Sequence, residues 1–209
     1  MTRHSAAYLT AASSALSLLT EPAVTATWSL PSALPELTVG GLAAHLAYQV
    51  SSVPTILAAP PATDTPLVSL REYYERAAWR GAAPDTEINR GIRASADELA
   101  SQGPEAVAAA VAAAIEQLSD ALPGAPDDRP VPSRALRLDD FLVTRMMEIA
   151  VHSDDLAVSA DLPTPELPFD VLEPVLSLLI GLSVGRHGQA AVIRALARVE
   201  RAPATINAL

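Results

Sequence analysis

This chain has to build its core almost without aromatic rings. Its 209 residues include only two Trp, four Tyr and two Phe, yet half of them are hydrophobic. Alanine, leucine and valine must therefore fill the interior. Such side chains suit close helix–helix packing, whereas a β-sandwich draws on aromatic and β-branched residues. The length suits one sizeable core with a helical extension. With only 18% charged residues, the composition excludes a disordered polyelectrolyte.

Periodicity supports an all-α architecture. Tyr8, Leu9, Ala12, Leu16 and Leu19 recur at helical spacing over 5–19, and Glu21-Pro22 ends that helix. Residues 22–36, with three prolines, are predicted to form a loop anchored by Trp28. Thr38 is a good N-cap for a second helix whose stripe is Val39, Leu42, Ala43, Leu46, Val50 and Val53. Further helices are predicted over 68–79, 85–101 and 105–122, the last with Pro104 at its first position. Residues 123–132 are predicted to form a loop. A long helix capped by Asp139 or Asp140 runs to Ser159, and a proline-rich linker covers 162–168. Two more helices follow: Asp170, as cap, to Val184, and Gln189 to Glu200. No β-hairpin signal or internal repeat is visible. Residues 1–160 would form a helical bundle and 161–209 an extension packed on it, one domain overall.

A net charge of −10 argues against nucleic acid and against anionic membranes as partners. No stretch reaches the roughly 20 apolar residues that cross a bilayer. Ser13, Ser14 and Ser17 interrupt the apolar N-terminus, which reads as an amphipathic helix rather than a signal peptide. The cytoplasm is the expected location, and the sequence allows a homodimer. The chain has no cysteine, so thiolate ligands and a cysteine nucleophile are excluded, and any thiol chemistry needs a thiol cosubstrate.

One helix carries a candidate site. Phe141, Arg145, Glu148, His152 and Asp155 fall on one narrow strip, at about 100° per residue. Glu148 and His152, four apart, can face a single ion, and Asp155 can hold the imidazole by its other nitrogen. The same spacing also describes an ordinary solvated helix face. His45 lies roughly 100° off the centre of its helix's apolar stripe, at the border of core and cleft. Arg90 and Arg93 share one face and could bind carboxylates of a thiol cofactor, or pair with Glu87 and Asp97. Arg186-His187-Gly188 reads equally well as a helix C-cap.

Two segments resemble a known family. Pro31-Ser-Ala-Leu-Pro-Glu-Leu-Thr-Val-Gly-Gly-Leu-Ala-Ala-His45-Leu-Ala is similar to Pro-Ser-x-Leu-Pro-Gly-Trp-Thr-Val-x-x-Leu-x-x-His-Leu-Ala. Arg145-Met-Met-Glu148-Ile-Ala-Val-His152-Ser-Asp-Asp155-Leu156 is similar to Arg-x-x-Glu-x-x-x-His-x-x-Asp-Leu. Both patterns belong to the mycothiol-dependent maleylpyruvate isomerase family, within the DinB-like four-helix metalloenzymes. The resemblance implies a DinB-like four-helix bundle with additional C-terminal helices. It further implies a divalent metal, zinc foremost, on His45, Glu148 and His152, with mycothiol as the thiol cosubstrate. Asp155 would orient His152, and no catalytic residue is implied beyond the ligands. The implied activity is a mycothiol-using thiol transferase or isomerase acting on a small electrophile. Alternatives are a non-catalytic metal- or ligand-binding protein of the same fold, or a metal-dependent hydrolase with water in the open position. Two departures bear on the substrate. Glu36-Leu37 replaces the usual Gly-Trp, and the C-terminal region that supplies a substrate-binding arginine in the isomerase is expected to be missing or cut short here. A substrate other than maleylpyruvate is expected.

Overall fold

A computed structural model describes residues 3–60, 66–77, 86–132 and 134–209. Helices α1 (Ser5–Leu19), α3 (Val39–Ser51), α7 (Pro104–Ala121) and α8 (Leu138–Ser159) pack on one another as a bundle, with α1 and α3 each touching both α7 and α8. The fold is all-α and DinB-like. Its core is aliphatic, as the composition demands: Leu42, Leu46, Leu118, Leu142, Met146 and Ile149 are fully buried.

The face that α1 buries is rotated from the one expected. Tyr8, Ala11, Ala12 and Ala15 are buried, while Leu9 and Leu16 are only half-buried. Alanine lets neighbouring backbones approach closely, so the small face turns inward and the leucines flank it. The serines and threonine opposite spend their hydroxyls on carbonyls four residues back, Thr10 on Ala6 and Ser13 on Leu9.

The expected loop 22–36 contains a short helix, α2 (Pro22–Ala26). Pro22 takes its first position, where the missing N–H costs nothing. Trp28 is an anchor, as its size suggested: the indole N–H donates to the Ala100 carbonyl at 3.3 Å, and the ring lies over Gly40. A Cβ on Gly40 would sit 2.5 Å from the indole nitrogen. Gly40→Ala is therefore expected to cost about 1–3 kcal/mol through overpacking, read as a lowered thermal midpoint. An unchanged midpoint would mean that Trp28 does not pack there.

Thr38 caps α3, its hydroxyl accepting from the Gly41 N–H at 3.0 Å. A single turn, α4 (Val53–Ala58), follows, and the Arg129 guanidinium donates to its terminal carbonyls, Leu57 at 2.6 Å and Ala59 at 3.0 Å. The predicted helix 68–79 is observed as α5 (Leu70–Glu75), capped by Ser69; Trp79, Gly81 and Pro84 lie outside the described residues. Helix α6 (Glu87–Ala100) packs on α3.

The tract from 123 is not wholly a loop. Pro130–Val131 (β1) pairs antiparallel with Leu136–Arg137 (β2). Strands of two residues show no periodicity, and Ala135 takes a positive φ of 55° without the glycine that would signal it. Asp139 and Asp140 do not cap α8. Arg137 occupies the N-cap position without a side-chain cap bond, and both acids lie in the first turn, where carboxylates complement the helix dipole. Asp139 accepts from the His4 N–H at 3.0 Å.

Helix α9 (Phe169–His187) starts from Pro168 rather than Asp170 and packs on α8, α1 and α5. It ends at Gly188, whose φ of 83° reverses the chain into α10 (Gln189–Ala197). Arg186 and His187 hold the C-terminal tail: the Arg186 guanidinium donates to the Leu209 carbonyl at 2.6 Å, and His187 Nε2 meets the Asn207 carbonyl at 2.9 Å. Among the described residues, no helix is long and apolar enough to cross a membrane.

Candidate metal centre

His45 leaves the border of α3, while Glu148 and His152 leave successive turns of α8, so the packing of α3 on α8 brings the three together. One ligand atom from each lies within 4.8 Å of the others. Donors about 2.0–2.2 Å from one ion lie at most roughly 4.4 Å apart, so a small side-chain rotation closes the set. Glu148 and His152 are only 17% and 16% exposed, with His152 Nε2 3.2 Å from Glu148 Oε2. The rings of His45 and His152 meet edge to face, centroids 4.8 Å apart.

A buried pair of this kind needs its spare polar atoms satisfied. His152 Nδ1 lies 3.0 Å from Asp155 Oδ2, which fixes the ring and turns Nε2 towards Glu148 and His45. Beyond it, the Ser159 hydroxyl donates to the main-chain carbonyl of Asp155 at 2.6 Å and accepts from the Ala33 N–H at 2.9 Å. The segment before α3 is thereby tied to the end of α8.

Burial and the neighbouring His152 together push the His45 pKa down to about 4, with Glu148 only partly opposing them. For His152, burial works downward but is outweighed by the hydrogen bonds to Asp155 and Glu148, which bring it up to about 9. Glu148 is held below the usual carboxylate range. Burial would raise it, but the His152 hydrogen bond and the Arg145 cation prevail. Near neutral pH the centre thus holds a neutral imidazole, a carboxylate and one imidazolium, whose Nδ1–H faces Asp155 and whose Nε2–H faces Glu148. Two imidazoles and a carboxylate at this depth, one imidazole oriented by an outer carboxylate, fit a borderline divalent cation such as zinc.

Three further residues surround the centre. The Arg145 guanidinium donates to the Gln49 side-chain oxygen and, through Nε, to Thr144 Oγ1 at 3.1 Å. Gln49 donates to the His45 carbonyl at 2.9 Å. Its own carbonyl accepts from the buried Tyr8 hydroxyl at 3.1 Å. Gln49 follows His45 by four residues, so the same spacing that pairs Glu148 with His152 could have singled it out. Tyr74 of α5 is 1% exposed. Burial, aided by Glu148, raises its pKa beyond the ordinary range, so it stays a neutral phenol. No signal in the sequence brought α5 to this place.

Arg90 is exposed and Arg93 pairs with Glu36 at 2.7 Å. Neither lines the cavity beside His45, whose wall on the α6 side is made by Ile88, Gly91, Ile92 and Ser95. Glu36 adopts a left-handed φ of 66°, a conformation that costs a non-glycine residue about 1 kcal/mol. Gly41 leaves no free room beside His45: a Cβ there would lie 2.9 Å from Asp97 Oδ1 and 3.0 Å from Leu37.

No curated protein and no solved structure matches the chain. Residues 9–157 match the family model described as the mycothiol maleylpyruvate isomerase N-terminal domain. The match runs from Leu9 in α1 through all but the last two residues of α8, includes both segments that supply His45, Glu148 and His152, and covers more than two thirds of the chain. The chain therefore belongs to the mycothiol maleylpyruvate isomerase N-terminal domain family.

Proposed function

We propose that this protein holds one divalent cation, zinc foremost, on His45, Glu148 and His152, and that it is a mycothiol-dependent transferase or isomerase of a small electrophile. The observation that carries the reading is the convergence of these three side chains from two helices, with Asp155 on the far nitrogen of His152. A bound cation of this class supplies Lewis acidity, which lowers the pKa of a thiol in its open coordination position. The nucleophilic sulfur must be the cosubstrate's, because the chain has no cysteine.

The chain's own groups have separable tasks. Asp155 keeps the His152 Nδ1 proton in place, so Nε2 is the atom offered to the centre. Arg145, steadied by Gln49 and Thr144, balances the Glu148 carboxylate and holds it ionised. The Tyr74 phenol keeps its proton at neutral pH and borders the charged pair. Arg90 and Arg93 are the candidates for an anionic group of the thiol, although Arg93 must first release Glu36. Residues 1–160 act as the metal-binding bundle and 161–209 as its extension, working in the cytoplasm.

Consumption of mycothiol with a panel of electrophiles tests this reading. Turnover, read as loss of free thiol for a transferase and as isomerised product with the thiol regenerated for an isomerase, should depend on the protein, stop after chelation and return with added zinc; an equal rate after chelation would overturn it. Asp155→Asn should weaken zinc binding by about 10–100-fold with the ligands intact, measured by competition with a chromophoric chelator. Unaltered affinity would show that Asp155 does not orient the ligand.

A further inference from the structure

Beside His45, between α3 and α6, lies a cavity of about 720 Å³, a size that holds a small organic molecule. Three of the chain's large exposed apolar side chains converge on it: Tyr48 at 41%, Ile88 at 45% and Ile92 at 38%. Scattered singly on a surface, such residues need no explanation. Gathered around one cavity that ends on a candidate ligand, they call for an apolar occupant. Leu99 extends the same wall.

The charge of the lining sharpens the point. Among the described residues, Glu98 is the only carboxylate or guanidinium side chain lining the cavity, and no arginine reaches it. Arg90 and Arg93 project elsewhere on α6, and the Arg93 guanidinium is spent on Glu36. A doubly anionic substrate such as maleylpyruvate would set one carboxylate toward the positive charge at the His45 end, but its second would have to shed its hydration beside Glu98, with no cationic side chain among the described lining residues to receive it. Burying charge without a partner is strongly unfavourable. An uncharged aryl or branched alkyl group loses nothing there and covers Ile88, Ile92 and Tyr48.

We propose that this cavity receives the uncharged, apolar body of the electrophile, its reactive atom at the His45 end, and that it discriminates against dicarboxylates. This rests on the function proposed above for its placement of the reactive atom, but the binding itself is independent of metal and thiol.

The test is titration of the full chain with the neutral fluorophore N-phenyl-1-naphthylamine, with zinc and after chelation. Saturable binding of one dye per chain is expected in both states. The neutral enone benzylideneacetone should displace the dye, and fumarate at the same concentration should not. Ile92→Glu, and separately Ile88→Glu, should weaken dye binding at least tenfold while leaving the helical circular dichroism unchanged. Wild-type affinity in both variants, or displacement by fumarate as effective as by the enone, would overturn the proposal. Dye binding as expected in a protein that takes up no zinc would overturn the metal reading and leave this one standing. Zinc uptake with no dye binding would do the reverse.

Discussion

The variant His152→Ala is expected to lose stoichiometric zinc, retaining less than roughly a tenth of an equivalent, because a three-ligand site rarely survives removal of one ligand. It is also expected to stay folded. The residues that seat α8 in the bundle, Leu142, Met146 and Ile149, point into the core and do not touch this change. The metal-free variant will nevertheless be less stable than the metal-free wild type, by about 1–3 kcal/mol, since His152 bonds two carboxylates and its removal strands a buried one. That is small beside the 5–15 kcal/mol typical of a folded domain. Metal content and thermal midpoint on both proteins read the two effects separately. Equal zinc in both would remove His152 from the site. Global unfolding of the variant would instead make the metal a structural one.

Zinc affinity should rise about tenfold per pH unit as pH is raised towards 9, which amounts to about a hundredfold between pH 6 and 8. His152 carries the proton that the cation must displace, its pKa standing at about 9 in the metal-free centre. His45, at about 4, and the lowered Glu148 are already deprotonated across that range and add no slope. One proton per zinc should therefore be released, which calorimetry in buffers of different ionisation enthalpy measures directly. The metal-free protein should show the opposite trend. A histidine pKa raised from 6.5 to about 9 adds stability that is fully present below 6.5 and is lost as pH rises through 9. Its thermal midpoint should thus fall over that window as affinity climbs. An affinity independent of pH between 6 and 8 would mean that His152 is not the group displaced.

Where local chemistry decides the structure, the sequence was legible. Thr38 as a cap, Trp28 as an anchor and the apolar stripe of α3 follow from side-chain size and spacing, and each is observed. The strip on α8 was also legible as a strip, but spacing could not separate a solvated face from a buried centre. That distinction depends on how α3 lies against α8, which no local pattern encodes; the paired motifs around His45 and His152 supplied it. Residues acting across the fold were missed for the same reason. Arg145 finds Gln49 from 96 positions away, and Tyr74, on a helix that packs against α9, comes near enough to feel the charges of Glu148 and Arg145. At Arg186-His187-Gly188 the local reading of a helix end is borne out, since α9 ends at His187 with Gly188 as its C-cap; what that reading missed is that both basic side chains also hold tail carbonyls within 3 Å. The two-residue strands and α2 are too short for any period to show.

Recruitment of a thiol by the zinc-loaded centre is the most direct consequence of this function. Mycothiol should be titrated calorimetrically into the chain with and without one equivalent of zinc, alongside its S-methylated form. The account predicts one mycothiol per zinc-loaded chain, at least about a hundredfold weaker binding to the metal-free chain, and weak binding of the S-methyl form to both, as a thiolate-dependent contact requires. Equal affinity of mycothiol for the loaded and metal-free chains would contradict it.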